Sequence, residues 1–127
     1  MKLGIVGSRR RDNIADFNIL LKRVVELKPD MIISGGCPKG ADRFAETIAR
    51  QLGIPILIYH PRIERGKSYQ RWEITKANYA RNELIAKESD YLIALVAPDR
   101  KGGTENTIER FKFKSGGKTW MHKMEIL

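Results

Sequence analysis

The chain has 127 residues, the size of one ordinary globular domain, and 42% hydrophobic with 31% charged residues marks a folded chain rather than a disordered one. Twenty-four Lys and Arg against fifteen Asp and Glu leave a formal charge of +9, which favours anionic partners such as nucleotides or nucleic acids. The longest apolar run, Tyr91 to Ala97, is far shorter than the roughly 20 residues of a membrane span, and "MKLGIVGSRR" lacks the apolar core of a signal peptide. A cytoplasmic protein with no membrane partner is the expectation.

The first strand is predicted at "KLGIVG" from Lys2, followed by the basic loop "GSRRRDN". A helix over about Asn13 to Leu27 follows, with Asp12 available as N-cap, Ile14, Phe17, Leu21, Val24 and Val25 on one stripe, and Lys28-Pro29 ending it. The second strand, "DMIIS" from Asp30, runs into the turn "SGGCPKGAD". Beyond it Ala41, Phe44, Ala45, Ile48, Ala49 and Leu52 recur at helical spacing, and Gly53 is placed to cap the end.

The third strand, "IPILIY" from Ile54, leads into the basic segment "HPRIERGKSYQRW". A third helix is expected from about Asn78 to Ser89, which would put Arg81 and Asn82 in its first turn. After a fourth strand, "DYLIALV" from Asp90, the loop "APDRKGGTEN" opens a helix over about Thr104 to Lys114, with Ile108 and Phe111 inward and Gly116-Gly117 at its end. "KTWMHKMEIL" from Lys118 offers a fifth strand.

Continuous apolar strands alternating with helices indicate one α/β domain over residues 1–127. Its expected architecture is three-layer and Rossmann-like (doubly wound), a mostly parallel sheet of about five strands with helices on both faces. Right-handed crossovers then gather all four strand-to-helix loops beyond the carboxyl ends of the strands. Glycine-rich loops there can present backbone amides to a phosphate at the positive end of a helix. "GGCPKGAD" matches neither GxxxxGK[ST] nor GxGxxG, so an ordinary NTPase or NAD reading is poor. Lone Cys37 excludes an internal disulfide, and with His60 and His122 it makes no plausible zinc set, so neither metal nor cofactor is expected. Cys37 precedes a helix N-terminus but has no assigned base, and a nucleophilic role is not expected.

"SGGCPKGADRFAE" followed by "ARNELIAKESDYLIALVAPDRKGGTENTIE" resembles the SLOG superfamily of Rossmann-like domains, most closely its small single-domain YspA-like branch. The resemblance runs over nearly the whole chain, from "GSR" after the first strand to the Gly-Thr turn before the last helix. It implies a pocket for a nucleotide or nucleotide-derived molecule at the strand ends. Two further likenesses point in different directions. Gly40-Ala41-Asp42 and Arg81-Asn82 resemble the corresponding turn and pair of DNA-processing protein A, a single-strand DNA binder. "KGGTENTIE" resembles the PGGxGTxxE motif of Lonely Guy-type phosphoribohydrolases, which split an N-glycosidic bond, but Thr107 stands where the motif's glutamate falls, with Glu105 and Glu109 to either side.

The expected site follows from these readings together. Gly35, Gly36 and Gly40 would bring amides to a phosphate beside Ser34, with Lys39 at the rim and Asp42 accepting from a ribose hydroxyl. Gly7, Ser8 and Arg9 follow the first strand, where a doubly wound sheet opens its crevice. Arg81 either contacts phosphate or anchors its helix by pairing with an acid such as Asp42, and Asn82 ties loops together. Gly102, Gly103 and Thr104 form the second turn, Thr104 serving as N-cap, as phosphate donor, or as both. Trp72 and Tyr69, set among Arg62, Arg65, Lys67, Arg71 and Lys76, are candidates for stacking on a base, or for packing onto the domain or a second subunit. Three functions are open: binding of a nucleotide-like ligand; hydrolysis of a nucleotide N-glycosidic bond with Glu105 or Asp42 as the acid; and binding of single-stranded nucleic acid. A homo-oligomer is possible in each.

Overall fold

The structure, a computed structural model, describes residues 1–64, 66–115 and 119–127. Arg65, the Gly116-Gly117 helix stop and Lys118 lie outside the described residues. The elements run β1 (Lys2–Gly7), α1 (Ile14–Leu27), β2 (Met31–Ser34), α2 (Ala41–Leu52), β3 (Ile56–Ile58), α3 (Arg71–Glu88), β4 (Tyr91–Leu95), α4 (Gly103–Ser115) and β5 (Met124–Ile126), with a short 3-10 turn at Thr119–His122. The five strands form one sheet in the order β3-β2-β1-β4-β5, every pairing parallel. The order reverses between β1 and β4, so the first and fourth strand-to-helix loops flank the crevice of a doubly wound sheet.

The continuous apolar runs are explained by burial on both faces. Alternation sends Leu3, Ile5, Ile32, Ile93 and Leu95 to one side, where they pack with Leu20, Val24, Phe44 and Ile48 of α1 and α2. Val6, Ile33, Leu92 and Ala94 face the other side with Ile85 of α3 and Ile108 and Phe111 of α4. The two layers enclose the sheet, and truncating a fully buried member such as Ile93 or Phe111 is a change of the kind that costs about 2–5 kcal/mol.

Several boundaries differ from expectation. Asn13, not Asp12, caps α1, its side chain accepting from the Asp16 amide; Ile14 and Val25 are exposed, and Leu20 with Val24 forms the inward stripe. The β3 strand is three residues on the sheet edge, and Leu57 is partly exposed rather than core. The fifth strand is confined to Met124–Ile126, after the 3-10 turn. The largest difference is α3, which begins seven residues earlier than the expected Asn78, at Arg71. The Gln70 amide donates to Glu73 Oε1 at 3.1 Å, fixing that earlier start. In its first half Trp72, Ile74 and Tyr79 are all exposed, Trp72 and Tyr79 on one face with Ile74 away from them, so no buried apolar stripe marks the start of the helix.

Candidate functional site

A cavity of about 370 Å³ opens at the carboxyl ends of β1 and β4. Four segments build it. The end of β1 and its loop supply Val6, Gly7, Ser8, Arg9 and Arg10; the β2–α2 turn supplies Gly35, Cys37 and Asp42; α3 supplies Asn78, Arg81, Asn82 and Ile85; the start of α4 supplies Lys101 to Thr104 and Thr107. Of the expected residues, Gly7, Ser8, Arg9, Gly35, Asp42, Arg81, Asn82, Gly102, Gly103 and Thr104 are brought together here. Ser34, Gly36, Lys39, Gly40 and Glu105 are not among its walls, and neither are Trp72 and Tyr69.

Arg81 and Asn82 sit in the middle of α3 rather than in its first turn, and they hold two loops at once. Arg81 Nη1 donates to the Gly35 carbonyl at 2.7 Å and its Nε to Asn82 Oδ1 at 2.9 Å. Asn82 Nδ2 donates to the Gly103 carbonyl at 3.3 Å and to Asn106 Oδ1 at 3.2 Å. The β2–α2 turn and the start of α4 are thereby tied to one helix. Arg81 makes no ion pair among the described residues: Asp42 acts on it only at longer range. Burial lowers its pKa, Asp42 and Cys37 oppose that shift, and the like charge of Arg9 adds to it. A cation held by neutral carbonyls, partly desolvated, beside another cation, is poised for an anion.

The β2–α2 turn departs from the phosphate cradle expected of it. Asp42, buried at the start of α2, accepts from Ser34 Oγ at 3.1 Å and from the Cys37 amide at 3.0 Å. Burial raises its pKa; the Cys37 amide, the Arg81 charge, Ser34 and the Gly35 amide pull the other way without reversing the shift. The Gly40 amide is likewise occupied, donating to Asp12 Oδ1 at 2.8 Å, which also receives Arg43 at 2.9 Å. The groups cradled by this turn are therefore the protein's own carboxyl groups, those of Asp42 and Asp12. Its glycines serve packing: a Cβ on Gly35 would fall 2.6 Å from Arg81 Nη1, and one on Gly40, at φ +72°, 2.6 Å from the Ser8 carbonyl oxygen. Lys39 is exposed, away from the cavity lining.

The start of α4 fits expectation better. The helix begins at Gly103, so Thr104 lies inside the first turn and is not the N-cap. Gly102, Gly103 and Thr104, at the positive end of the helix dipole, line the cavity. Nearby, the three arginines of "GSRRR" divide their work. Arg10 is bidentate to Asp99 at 2.6 and 3.1 Å; Arg11 binds Asp16 and the Val96 and Leu127 carbonyls. Arg9 and the Lys101 side chain carry no hydrogen bond or ion pair among the described residues.

Glu105 is turned away, held by Arg100 through two contacts of 2.9 Å. Asp42 is the one carboxylate among the cavity walls. Trp72 is 66% exposed on α3, over a separate shallow depression with Lys76, Tyr79 and Arg110. The Tyr69 hydroxyl accepts from the Glu64 amide at 2.9 Å. Among the described residues no three His, Cys, Asp or Glu side chains gather as a metal site.

Sequence reasoning did not name Asn78, Lys101 or Thr107 as part of the site. Helical spacing carried the signal for two of them: Asn78 is four residues before Asn82, and Thr107 three after Thr104, on faces already implicated. Comparison with protein-family models, with curated proteins and with solved structures gave no match to this chain.

Proposed function

We propose that the protein binds a phosphorylated small molecule, a nucleotide or nucleotide-derived ligand, in the cavity at the switch point of the sheet. The observation that carries this reading is Arg81, a partly buried guanidinium on the cavity wall that makes no close ion pair among the described residues, with Asp42 acting on it at longer range, and that lines the same cavity as the start of α4. The anion lies on the Gly102-Gly103-Thr104 turn, where free helix amides and the macrodipole favour it, with Arg81, Arg9 and Lys101 supplying charge. The β2–α2 turn contributes shape rather than amides. The resemblance of "SGGCPKGAD" and "KGGTEN" to SLOG domains supports the same class of ligand. Calorimetric titration with a panel of nucleotides and with inorganic phosphate tests it: binding that Gly103→Val weakens at least tenfold is expected, and no binding by any member of the panel overturns it.

Asp42 supports a second reading, an N-glycoside hydrolase of nucleotides. Its carboxyl lines the cavity, and its raised pKa favours the protonated form that a general acid needs. Chromatography of nucleoside monophosphates incubated with the protein tests this reading. Release of free base, abolished by Asp42→Asn, is the expected result; intact substrate overturns it.

A further inference from the structure

The floor of the cavity holds a polar group that the protein itself leaves unanswered. Thr107 is 1% exposed and lines the cavity beside Val6 and Ile85, yet its hydroxyl receives and donates no hydrogen bond among the described residues. The helical threonines on α2 and α3 behave differently. Thr47 and Thr75 each return the hydroxyl to the carbonyl four residues back, at 3.1 Å. The equivalent carbonyl for Thr107 is that of Gly103, which receives the Asn82 side-chain amide instead. That hydroxyl is not sealed from solvent: it stays accessible on the cavity wall with no partner in the protein among the described residues, so its bonding capacity is open to whatever occupies the cavity.

Thr107 lies one turn deeper along α4 than the amides at its start. An anion on the Gly102-Gly103-Thr104 turn therefore leaves the hydroxyl facing the next part of the same molecule. We infer that Thr107 is a specificity-determining residue that hydrogen-bonds a sugar hydroxyl adjoining the bound phosphate, so that the site prefers a phosphorylated sugar to a bare phosphate. This rests on the anion-binding reading above. Val6 and Ile85 are the apolar neighbours of Thr107 on the cavity lining, so the hydroxyl is the polar feature of that part of the wall.

The test uses inorganic phosphate and ribose 5-phosphate as probes, titrated calorimetrically into the wild type, Thr107→Val and Thr107→Ser. Valine keeps the shape and removes the hydroxyl; serine keeps the hydroxyl. Thr107→Val should weaken ribose 5-phosphate by about fivefold or more, the factor carried by one neutral hydrogen bond, and leave inorganic phosphate unchanged, while Thr107→Ser retains the preference. Thermal unfolding of the ligand-free Thr107→Val protein should show no loss of stability, because no internal hydrogen bond is removed. Equal affinity of Thr107→Val and wild type for both probes overturns the inference and assigns the hydroxyl to water alone. Equal weakening of both probes, or a wild type with no preference for ribose 5-phosphate, also overturns it while leaving the anion site standing. A wild type that binds neither probe overturns the inference, and the anion-binding reading falls with it only when the nucleotide panel also fails to bind.

Discussion

Arg81 Nη1 and the Gly35 carbonyl, 46 residues apart in the chain, meet at 2.7 Å across the crevice between α3 and the β2–α2 turn. The neighbouring Asn82 extends that link to Gly103, so one dipeptide in mid-helix sets the spacing of two loops that border the cavity. Asn82 is 5% exposed, and its removal leaves Arg81 Nε without that partner and cuts the links from α3 to Gly103 and Asn106 of α4. Asn82→Ala is expected to cost about 1–3 kcal/mol, the scale for leaving a buried polar group unpaired. Urea unfolding checks this, and unchanged stability would remove the dipeptide from its bracing role.

Gly40 should be the least replaceable glycine of the β2–α2 turn. Its φ of +72° with ψ −146° is a region that essentially only glycine occupies, and any Cβ would meet the Ser8 backbone. Gly40→Ala is expected to lower stability by about 1–3 kcal/mol. Gly53→Ala, at φ +68° with open space around it, should lose less in the same denaturation series. Equal losses would contradict the close-approach argument.

The sequence carried the architecture because each buried strand is apolar on both faces and α2 has an unbroken helical period. It carried much of the cavity as well, since glycine and arginine at strand ends are legible wherever the topology is. What it could not reveal is which way an amide points. The Gly35, Cys37 and Gly40 amides look available in "SGGCPKGAD", but Asp42 and Asp12, one within that stretch and one 28 residues before Gly40, occupy them with the protein's own carboxyl groups. The start of α3 was hidden for a related reason: Trp72, Ile74 and Tyr79 are apolar yet exposed, so periodicity reported no face there.

The charge state of Asp42 should govern anion affinity. Burial raises its pKa in the folded protein above the ordinary value of 3.8, so the carboxyl is neutral in the folded state at low pH and ionises as pH rises through the raised value. Ionisation puts a negative charge on the cavity wall and also costs folding stability over the same window. Sulfate, whose own charge is constant above about pH 3, should bind more weakly as pH rises through that window. Asp42→Asn should flatten the profile. A sulfate affinity that rises with pH in the wild type would contradict the placement of Asp42 beside the anion.

Trp72 is exposed on α3 and absent from the cavity walls, so Trp72→Ala should leave sulfate affinity within about twofold of wild type. Single-stranded DNA separates a second use of that surface. Binding through Trp72 and the neighbouring Arg71 and Lys76 would fall with salt at a log-log slope of about −0.7 per neutralised phosphate and would weaken in the same variant. A flat salt dependence would exclude nucleic acid from it.

The central claim is an anion held by Arg81 at the start of α4. Calorimetric titration of adenosine 5′-monophosphate into wild type and Arg81→Gln tests it most directly, with thermal unfolding of both proteins as the control for folding. The account predicts binding by the wild type and a loss of tenfold or more in the variant, the scale of a charge-assisted hydrogen bond, with the folded state retained. Equal affinity in the two folded proteins would contradict it.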